Sequence, residues 1–331
     1  MMQTIINQLK RNQTYLLASH IHPDGDAIGS VLALGLALKA MGKDVQLFNP
    51  SPIPAVYRFL PSVHKIEHTI RPNAQFDVAL ILDCGDIDRI GTAAVAACKK
   101  AMVINIDHHI TNTRFGDLQL IDVNACATAE IIYRLLQHLP VRIDYAIATA
   151  IYTGILTDTG SFRFSNTNRS AFAICEKMIG LGADPYQVAR HVYGTYSLGR
   201  IKLLNLALDS LEISPNGKLS VMTLSQRMLR ETGTQAEDID GIINYARRIE
   251  DVRVAALIHE LCGNDRAPKG QTRYHVSLRS DSGVDVAKIA AQFGGGGHAE
   301  AAGFSIDTTL ADLKKQLMTL SEVFSDACEV T

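Results

Sequence analysis

Three features that mark particular protein classes are missing from this sequence. Its longest apolar stretch, "SVLALGLALKA", carries Lys39 and is shorter than the ~20 residues that a membrane-spanning helix needs. The first residues, "MMQTIINQLKRNQ", lack the apolar core of a signal peptide. The six Cys are scattered, without a Cys-x-x-Cys pair, which favours reduced, buried thiols over disulfides or a zinc site. We therefore expect a cytoplasmic protein that does not contact a membrane.

An excess of charge of either sign is also missing. The chain has 32 basic and 34 acidic side chains, with a formal net charge of -2. Proteins that coat long nucleic acids usually need a broadly basic face, so this balance argues against such a partner. It leaves room for a small anionic ligand in a locally basic cleft.

The first half of the sequence predicts a parallel α/β domain. Short apolar runs such as "TYLLASH", "DVALILDCGD" and "AMVINIDHH" alternate with helical patterns, one of them from about Ala27 to near Gly42. At 331 residues the chain is long enough for two domains. We predict a catalytic domain over residues 1–187, with a mostly parallel sheet and helices on both faces. A helical connector over residues 188–210 is predicted to follow it.

A second, smaller α/β domain is predicted over residues 211–331. Its strands are "KLSVMTLSQ", "VRVAALIHE" and "RYHVSLRS", each with alternating apolar and polar residues. Helices are expected over residues 236–248 and 309–325.

Acidic and imidazole side chains follow the ends of several predicted strands and one predicted helix. These residues are His20, Asp24, Asp26, Asp83, Asp107, His108, His109 and Asp158. Singly, each has an ordinary explanation, such as a helix N-cap, a turn or a structural histidine. Together they converge on the edge of a parallel sheet where ligands bind, and so many carboxylates need a cation. Imidazole and carboxylate without thiolate favour Mn²⁺ or Mg²⁺ over structural zinc. The ligands suffice for two ions ~3.5–4 Å apart.

The second domain carries the unusual stretch "FGGGGHAEAAG". Four consecutive glycines cost backbone entropy, which suggests that something approaches the backbone closely. Successive amide N–H groups can bind an anion, particularly where a helix begins, although a flexible linker is the alternative. The expected phosphate- or sugar-binding residues are Gly295, Gly296, Gly297, His298, Arg279 and Arg163.

The motifs "SHIHPDGDAIGS", "LDCGD", "DHH" and "GILTDTGSF" occur in this order and resemble those of the DHH phosphoesterase superfamily. The glycine-rich stretch is similar to the substrate-binding signature of its DHHA1 subgroup. Size and layout most resemble the nanoRNase-type members. The resemblance implies hydrolysis of short oligoribonucleotides, di- to pentanucleotides, to mononucleotides, and of 3′-phosphoadenosine 5′-phosphate (pAp) to AMP. It also implies two divalent metal ions, with Mn²⁺ preferred and Mg²⁺ or Co²⁺ as alternatives; a homodimer is left open.

The resemblance also implies a role for each residue. The first metal ion would be held by His20, Asp24 and Asp83. The second would be held by Asp26, Asp83, His108 and Asp158, so that Asp83 bridges the two ions. As a catalytic residue, His109 would face the scissile phosphate, and Asp107 would orient a neighbouring histidine. The chain departs from its relatives at His22, where they usually carry Asn; we expect this side chain beside the ligands or on the substrate side.

Four other functions are compatible with parts of this pattern. A manganese-dependent inorganic pyrophosphatase would carry a Ser-Arg-Lys-Lys signature, which is missing from this sequence. A single-strand DNA exonuclease of this type would need a longer chain. A cyclic di-AMP or linear dinucleotide phosphodiesterase stays open. A catalytically silent nucleotide sensor is disfavoured because every expected metal ligand is present.

Overall fold

The computed structural model describes residues 1–194, 196–261, 271–280 and 283–324. The chain divides into two compact units, Met1–Thr195 and Tyr196–Thr331, each with its own sheet. The described helices include none that is long and apolar enough to cross a membrane.

One parallel sheet forms the centre of the first unit. Its strands are β1 (Thr14–Ala18), β2 (Asp44–Phe48), β3 (Ile66–Glu67), β4 (Val78–Leu82), β5 (Met102–Asp107) and β6 (Leu118–Ile121). The strand order is β3-β2-β1-β4-β5-β6, and every pair is parallel, which confirms the predicted sheet. The chain runs outward from β1 in one direction and from β4 in the other. The carboxyl ends of β1 and β4 therefore form a topological switch point, the place where open α/β sheets bind ligands.

Helices cover both faces of this sheet, as predicted. They are α1 (Met2–Arg11), α2 (Gly25–Ala40), α3 (Thr92–Cys98), α4 (Thr128–Leu136), α5 (Tyr145–Asp158), α6 (Arg169–Gly180) and α7 (Pro185–Tyr193). Side chains alternate along a strand, so Leu17 of β1 joins the core formed with α1, α2, α4 and α5. Its neighbour Leu16 packs on the opposite face with α3. Both faces are thus buried, which accounts for the continuous apolar runs in the sequence.

The second unit has a mixed sheet in the order β11-β12-β10-β9-β8-β7. The strands are β7 (Glu212–Ile213), β8 (Leu219–Leu224), β9 (Val254–Glu260), β10 (Thr272–Ser280), β11 (Gly296–Gly297) and β12 (Ala301–Thr308). The pair β8–β9 is parallel and the others are antiparallel. The helices are α8 (Leu198–Asp209), α9 (Gln226–Thr232), α10 (Ile243–Arg247), α11 (Val286–Gln292) and α12 (Leu310–Leu320).

Two helical predictions need comment. The helix expected over residues 236–248 is wrong as one element: a 3₁₀ turn at Ala236–Ile239 precedes the short α10. Gly241, with a φ of 80°, separates them because a left-handed residue cannot continue a helix. The predicted connector at 188–210 spans the end of α7 and all of α8, and the boundary between the units falls within it. Its role as a connector stays a prediction, as do the predicted domain bounds.

Close packing of α2 against α5 generates a stability prediction. A Cβ at Gly29 would lie 2.5 Å from the carbonyl oxygen of Ala150, so a side chain there forces the helices apart. We expect Gly29→Ala to lower the free energy of unfolding by about 1–3 kcal/mol in urea titrations.

The matched control is Gly180→Ala, at the end of α6. A Cβ at Gly180 meets no atom of the described residues within 4 Å. This variant should be neutral or more stable by about 0.5–1 kcal/mol, because alanine favours the helix. Equal losses in the two variants would contradict the role of close helix packing.

Candidate metal centre

The candidate metal centre lies at the switch point between β1 and β4. The segment after β1 carries His20 and Asp24, and Asp83 directly follows β4. Asp83 has a φ of 52°, a left-handed backbone conformation that is uncommon for residues other than glycine. Its N–H still donates to the carbonyl of Ile106 at 3.0 Å. Strain of this kind persists where neighbouring structure enforces it, and it is typical of functional positions.

The first group of side chains consists of His20, Asp24 and Asp83. The Nε2 atom of His20 lies 3.9 Å from Oδ2 of Asp24 and 3.8 Å from Oδ2 of Asp83. The Nδ1 atom of His20 is 2.8 Å from the carbonyl of Ile21, a contact in which Nδ1 carries the proton and Nε2 is left as the ligand atom. Oδ1 of Asp24 accepts from the N–H groups of Asp26 and Ala27. Asp24 is therefore the N-cap of α2 and also a candidate ligand.

The second group consists of Asp26, His108 and Asp158. His108 Nε2 lies 3.4 Å from Oδ2 of Asp158 and 3.8 Å from Oδ1 of Asp83. Its Nδ1 is 3.2 Å from the carbonyl of Ala125, which again directs Nε2 to the site. In each group the candidate ligand atoms lie within 4.8 Å of one another.

Asp83 belongs to the first group and also borders the second, with one oxygen toward each. Oδ2 lies on the side of His20 and Oδ1 on the side of His108. The structure thus brings together all six residues that the resemblance implies as ligands. The donor set of four carboxylates and two imidazoles fits divalent cations. All of these side chains except Asp24 are largely out of water, where the carboxylate charges repel one another without a cation.

Burial and mutual repulsion perturb the titration of these carboxyl groups. Burial, reinforced by Asp83, raises the pKa of Asp26 to about 8. Burial also raises the pKa of Asp83 to about 7, with Asp24 adding to the effect, and the pKa of Asp158 to about 7. Protons and metal ions therefore compete for the same oxygens.

His109 lies beside Asp83 and His108, with possible ligand atoms of all three within 4.8 Å of one another, but it also pairs with Asp107. Its Nδ1 lies 2.7 Å from Oδ1 of Asp107 and 3.8 Å from Oδ1 of Asp83. Burial lowers the pKa of His109, but the bond to Asp107 and the charge of Asp83 outweigh it and raise the pKa to about 10. Asn112 donates to Oδ2 of Asp107 at 2.6 Å, so both oxygens of this carboxylate are fixed. Asp107 therefore orients His109, within the role expected of it.

Sequence reasoning missed three polar residues that contact predicted site residues, two of them predicted ligands. Thr128 donates to Oδ1 of Asp83 at 2.9 Å, Asn166 donates to Oδ2 of Asp158 at 3.2 Å, and Asn112 contacts Asp107. Asn112 and Asn166 lie only five and eight positions from their partners, each shortly after a motif that the sequence analysis singled out. The contact of Thr128 joins segments 45 positions apart, so one sequence carries no signal for it.

His22 has a φ of 55° and is exposed to solvent. Asn, Asp and His are the non-glycine residues that best tolerate this left-handed conformation. The backbone N–H of His22 donates to Ser51 at 2.9 Å, which holds the turn. The backbone thus explains why His can stand where relatives usually carry Asn; a contact of its side chain with substrate stays a prediction.

The glycine-rich stretch lies in the second unit and includes the short strand β11, which pairs with β12. It follows the end of α11, so the expectation of a helix N-terminus is not met. A Cβ at Gly297 would lie 2.5 Å from the carbonyl of Ala301, and one at Gly295 would collide with the carbonyl of Gly303. The close approach at these two glycines is thus made by β12. Gly296 is different, because a Cβ there meets nothing within 4 Å among the described residues.

Arg279 lies in the central strand β10, between Ala255 of β9 and Ala301 of β12. Its Nη1 donates to the carbonyl of Leu278 at 2.9 Å. Burial lowers the pKa of Arg279, and the nearby Arg247 acts in the same direction while Asp240 opposes it. Arg279 thus lies near one anionic and one cationic side chain.

The other predicted substrate residues are placed as follows. His298, half-buried, ends the glycine-rich stretch, and its N–H donates to the carbonyl of Ala301 at 2.8 Å. Arg163 lies in the first unit, where its Nε donates to the carbonyl of Gly160 at 2.5 Å. In this structure Arg163 is held by its own loop, and its part in substrate binding stays a prediction.

The metal-free protein should become less stable as the pH rises from about 5.5 to about 8.5. Folded Asp26, Asp83 and Asp158 keep protons up to pKa values of about 8, 7 and 7. The unfolded chain releases these protons near pH ~4, so the folded state binds more protons between these limits and the free energy of unfolding falls. One pKa unit is about 1.4 kcal/mol, or roughly 3 °C in Tm for a domain of this size, so we expect a decline of several degrees.

Calorimetry of chelator-treated protein over this pH series measures the effect. Protein saturated with Mn²⁺ is the control and should show a smaller decline, because the cation replaces the protons. A Tm of the metal-free protein that rises over this pH range would contradict the assignment.

The comparisons with known proteins agree with this geometry. The family model for the DHH family, N-terminal domain, matches residues 14–155, and that for the DHHA1 domain matches residues 216–329. The chain is 32% identical over 290 residues to the bifunctional oligoribonuclease and PAP phosphatase NrnA of Thermus thermophilus, covering 88% of this chain and 83% of that relative. It is 26% identical to the protein of the same name from Bacillus subtilis, over 94% of this chain and 96% of the relative.

A solved structure shows the same fold over nearly the whole chain. An exopolyphosphatase-related protein from Bacteroides fragilis superposes with a TM-score of 0.89 at 25% identity, covering 98% of this chain and 96% of that one. With both domains matched and a relative above 30% identity over most of its length, the protein belongs to the DHH family and carries a DHHA1 domain.

Proposed function

We propose that this protein is a metal-dependent phosphohydrolase that degrades short oligoribonucleotides to mononucleotides and converts pAp to AMP. The observation that carries the proposal is the pair of neighbouring His/Asp groups, His20/Asp24/Asp83 and Asp26/His108/Asp158, with His108 3.8 Å from Asp83, in a chain of the same two-domain family as the NrnA relatives. Several relatives that align along most of the chain are named as bifunctional oligoribonuclease and PAP phosphatase. Hydrolysis of a phosphate ester is also the chemistry that two adjacent divalent cations promote best.

The ligands of the two ions are the two groups of side chains described above. His20, Asp24 and Asp83 would hold one ion, and Asp26, Asp83, His108 and Asp158 would hold the second. Bound there, divalent cations lower the pKa of water and offset the negative charge of the phosphoryl group. The mixture of imidazole and carboxylate without thiolate supports Mn²⁺, with Mg²⁺ or Co²⁺ as alternatives.

His109 acts on the phosphate rather than on the metal ions. Its bond to Asp107 holds a proton at Nδ1 and keeps the ring in one orientation. Burial lowers the pKa of His109, but the hydrogen bond to Asp107 raises it and favours the protonated imidazole. A cationic imidazole beside the scissile bond stabilises the charge that develops on the phosphoryl or leaving oxygen.

The DHHA1 domain supplies substrate contacts. The guanidinium of Arg279 can clamp a phosphate with two parallel hydrogen bonds, and it carries an established contact only to the carbonyl of Leu278 among the described residues. His298 and the glycines at 295–297 are the further proposed phosphate- or sugar-binding residues. The near-neutral net charge favours short substrates over long nucleic acid.

The test is a product assay on metal-stripped protein restored with Mn²⁺ or Mg²⁺. The substrates are pAp, a 5′-labelled RNA ladder from the dinucleotide upward, cyclic di-AMP and pyrophosphate, with products separated by chromatography. We expect AMP from pAp and mononucleotides from the shortest RNAs. Asp83→Ala, which removes the shared ligand, should abolish both activities.

Other outcomes would overturn the proposal. Consumption of cyclic di-AMP alone would indicate a second-messenger phosphodiesterase, and consumption of pyrophosphate alone a pyrophosphatase. Tight nucleotide binding without turnover of any substrate would favour a sensor. Near wild-type turnover by Asp83→Ala would contradict the dinuclear centre.

A second prediction concerns the substrate side. Arg279→Ala should raise KM for pAp roughly 10- to 100-fold with a smaller change in kcat, because it removes a charged hydrogen bond made in the ground state as well as the transition state. The matched control is Arg273→Ala, on the same strand and face, where the guanidinium pairs with Asp307 at 3.1 Å. Equal KM values in the two variants would contradict the role of Arg279.

A further inference from the structure

The first turn of α4 contacts carboxylates from two different elements. Helix α4 begins at Thr128, and its N-cap residue, Ala127, provides no side-chain cap. The missing acceptor comes from α2: Oδ2 of Asp26 accepts from the N–H of Thr128 at 2.6 Å, and Oδ1 accepts from the N–H of Ala129 at 2.9 Å. Both oxygens of Asp26 are therefore fixed by the first turn of α4. In return, Asp26 pairs two N–H groups that have no partner within their own helix.

The side chain of Thr128 contacts a different ligand. Its Oγ1 donates to Oδ1 of Asp83 at 2.9 Å, and the residue is fully buried. Oδ1 is the oxygen of Asp83 that lies toward His108, while Oδ2 lies toward His20. Thr128 thus contacts Asp26 through its backbone and Asp83 through its hydroxyl, and both contacts fall on the side of the second group.

A glycine in a third helix, α5, leaves room for this contact. A Cβ at Gly154 of α5 would lie 2.7 Å from Cβ of Ala129 and 2.9 Å from Oδ1 of Asp26. Any larger residue at 154 would displace the carboxylate or the start of α4. The contact between Asp26 and α4 is therefore accommodated by close packing of α2, α4 and α5, and it is not an incidental surface contact.

We infer that Thr128 is a positioning residue for the metal ion held by Asp26, His108 and Asp158, through the hydrogen bond from its hydroxyl to Oδ1 of Asp83. The inference rests on the metal centre of the proposed function. Groups that hydrogen-bond metal ligands fix the direction of the ligand lone pairs, and their removal typically weakens metal binding about 10- to 100-fold. The ion held by His20, Asp24 and Oδ2 of Asp83 is affected far less.

The test measures Mn²⁺ binding to metal-stripped protein by titration calorimetry, independently of catalysis. Wild-type protein should bind two ions. Thr128→Val keeps the shape of the side chain and removes the hydroxyl, and it should weaken one of the two ions roughly 10- to 100-fold. Thr128→Ser restores the donor and should recover most of the affinity. Thermal unfolding of the metal-free variants shows whether they are folded.

Thr153→Val is the matched control. Thr153 is also fully buried, but its hydroxyl donates to the carbonyl of Thr149 within α5, without contact to a candidate ligand. This variant should bind both ions as the wild type does. A loss of affinity equal to that of Thr128→Val would overturn the inference, since it would indicate a general effect of removing a buried hydroxyl.

A double-mutant cycle assigns the effect to one ion. His20→Ala disables the first group and leaves the ion of the second, so adding Thr128→Val should weaken the single remaining ion by the same factor. In the His108→Ala background, Thr128→Val should change the remaining affinity little. Effects of equal size in both backgrounds, or two unperturbed ions in Thr128→Val, would overturn the inference. Wild-type protein that binds no Mn²⁺ would instead overturn the proposed function.

Discussion

Repulsion between carboxylates at one edge of a parallel sheet is the constraint on which the first unit depends. Asp26 and Asp83 are each only 1% exposed, and ionising both in the same pocket without a counterion is unfavourable. The protein provides part of the compensation itself, since the N–H groups of α4 bind Asp26 and His109 neutralises Asp107. This compensation is incomplete, because the pKa values of Asp26, Asp83 and Asp158 are all raised, and protons or divalent cations must supply the rest.

The topology explains why these groups meet. Strands β1 and β4 are neighbours at the point where the strand order reverses, so the segments that follow them leave in different directions and open a crevice. Left-handed residues turn the chain sharply on both sides of this crevice, at His22 after β1 and at Asp83 after β4. These turns hold ligand side chains close to the strand ends, where the sheet is most rigid, and the strain in them is offset by the packing around the switch point.

The sequence was informative where the signal was local. Buried strands are continuous apolar runs, and polar residues directly after such runs must lie at the sheet edge, so β1, β4 and β5 and the candidate ligands could be predicted together. Contacts between segments that are distant in the sequence could not be predicted. Thr128 meets Asp26 across 102 positions, and nothing near Thr128 in the chain distinguishes it from an ordinary first residue of a helix. The glycine-rich stretch shows the same limit, because the pattern indicates a close approach to the backbone without identifying β12 as the neighbour. Short or half-buried elements, such as β3 and β6, lack the apolar run that marks the central strands.

The hydrogen bonds around the ligands bear on which ion the centre prefers. Asp26, Asp83 and Asp158 each accept a hydrogen bond from a neighbouring residue, Thr128 for the first two and Asn166 for the third. A carboxylate oxygen that shares a lone pair with a donor is a weaker electron donor to a metal, and its direction is fixed. Ligation by fixed, oxygen-rich donors with one imidazole in each group favours ions that accept oxygen ligands in near-octahedral geometry. Structural zinc prefers a closed tetrahedral set that usually includes thiolate, and the described residues offer none here. The proposed preference for Mn²⁺ or Mg²⁺ is therefore supported by the hydrogen-bonded surroundings of the carboxylates as well as by the ligands themselves.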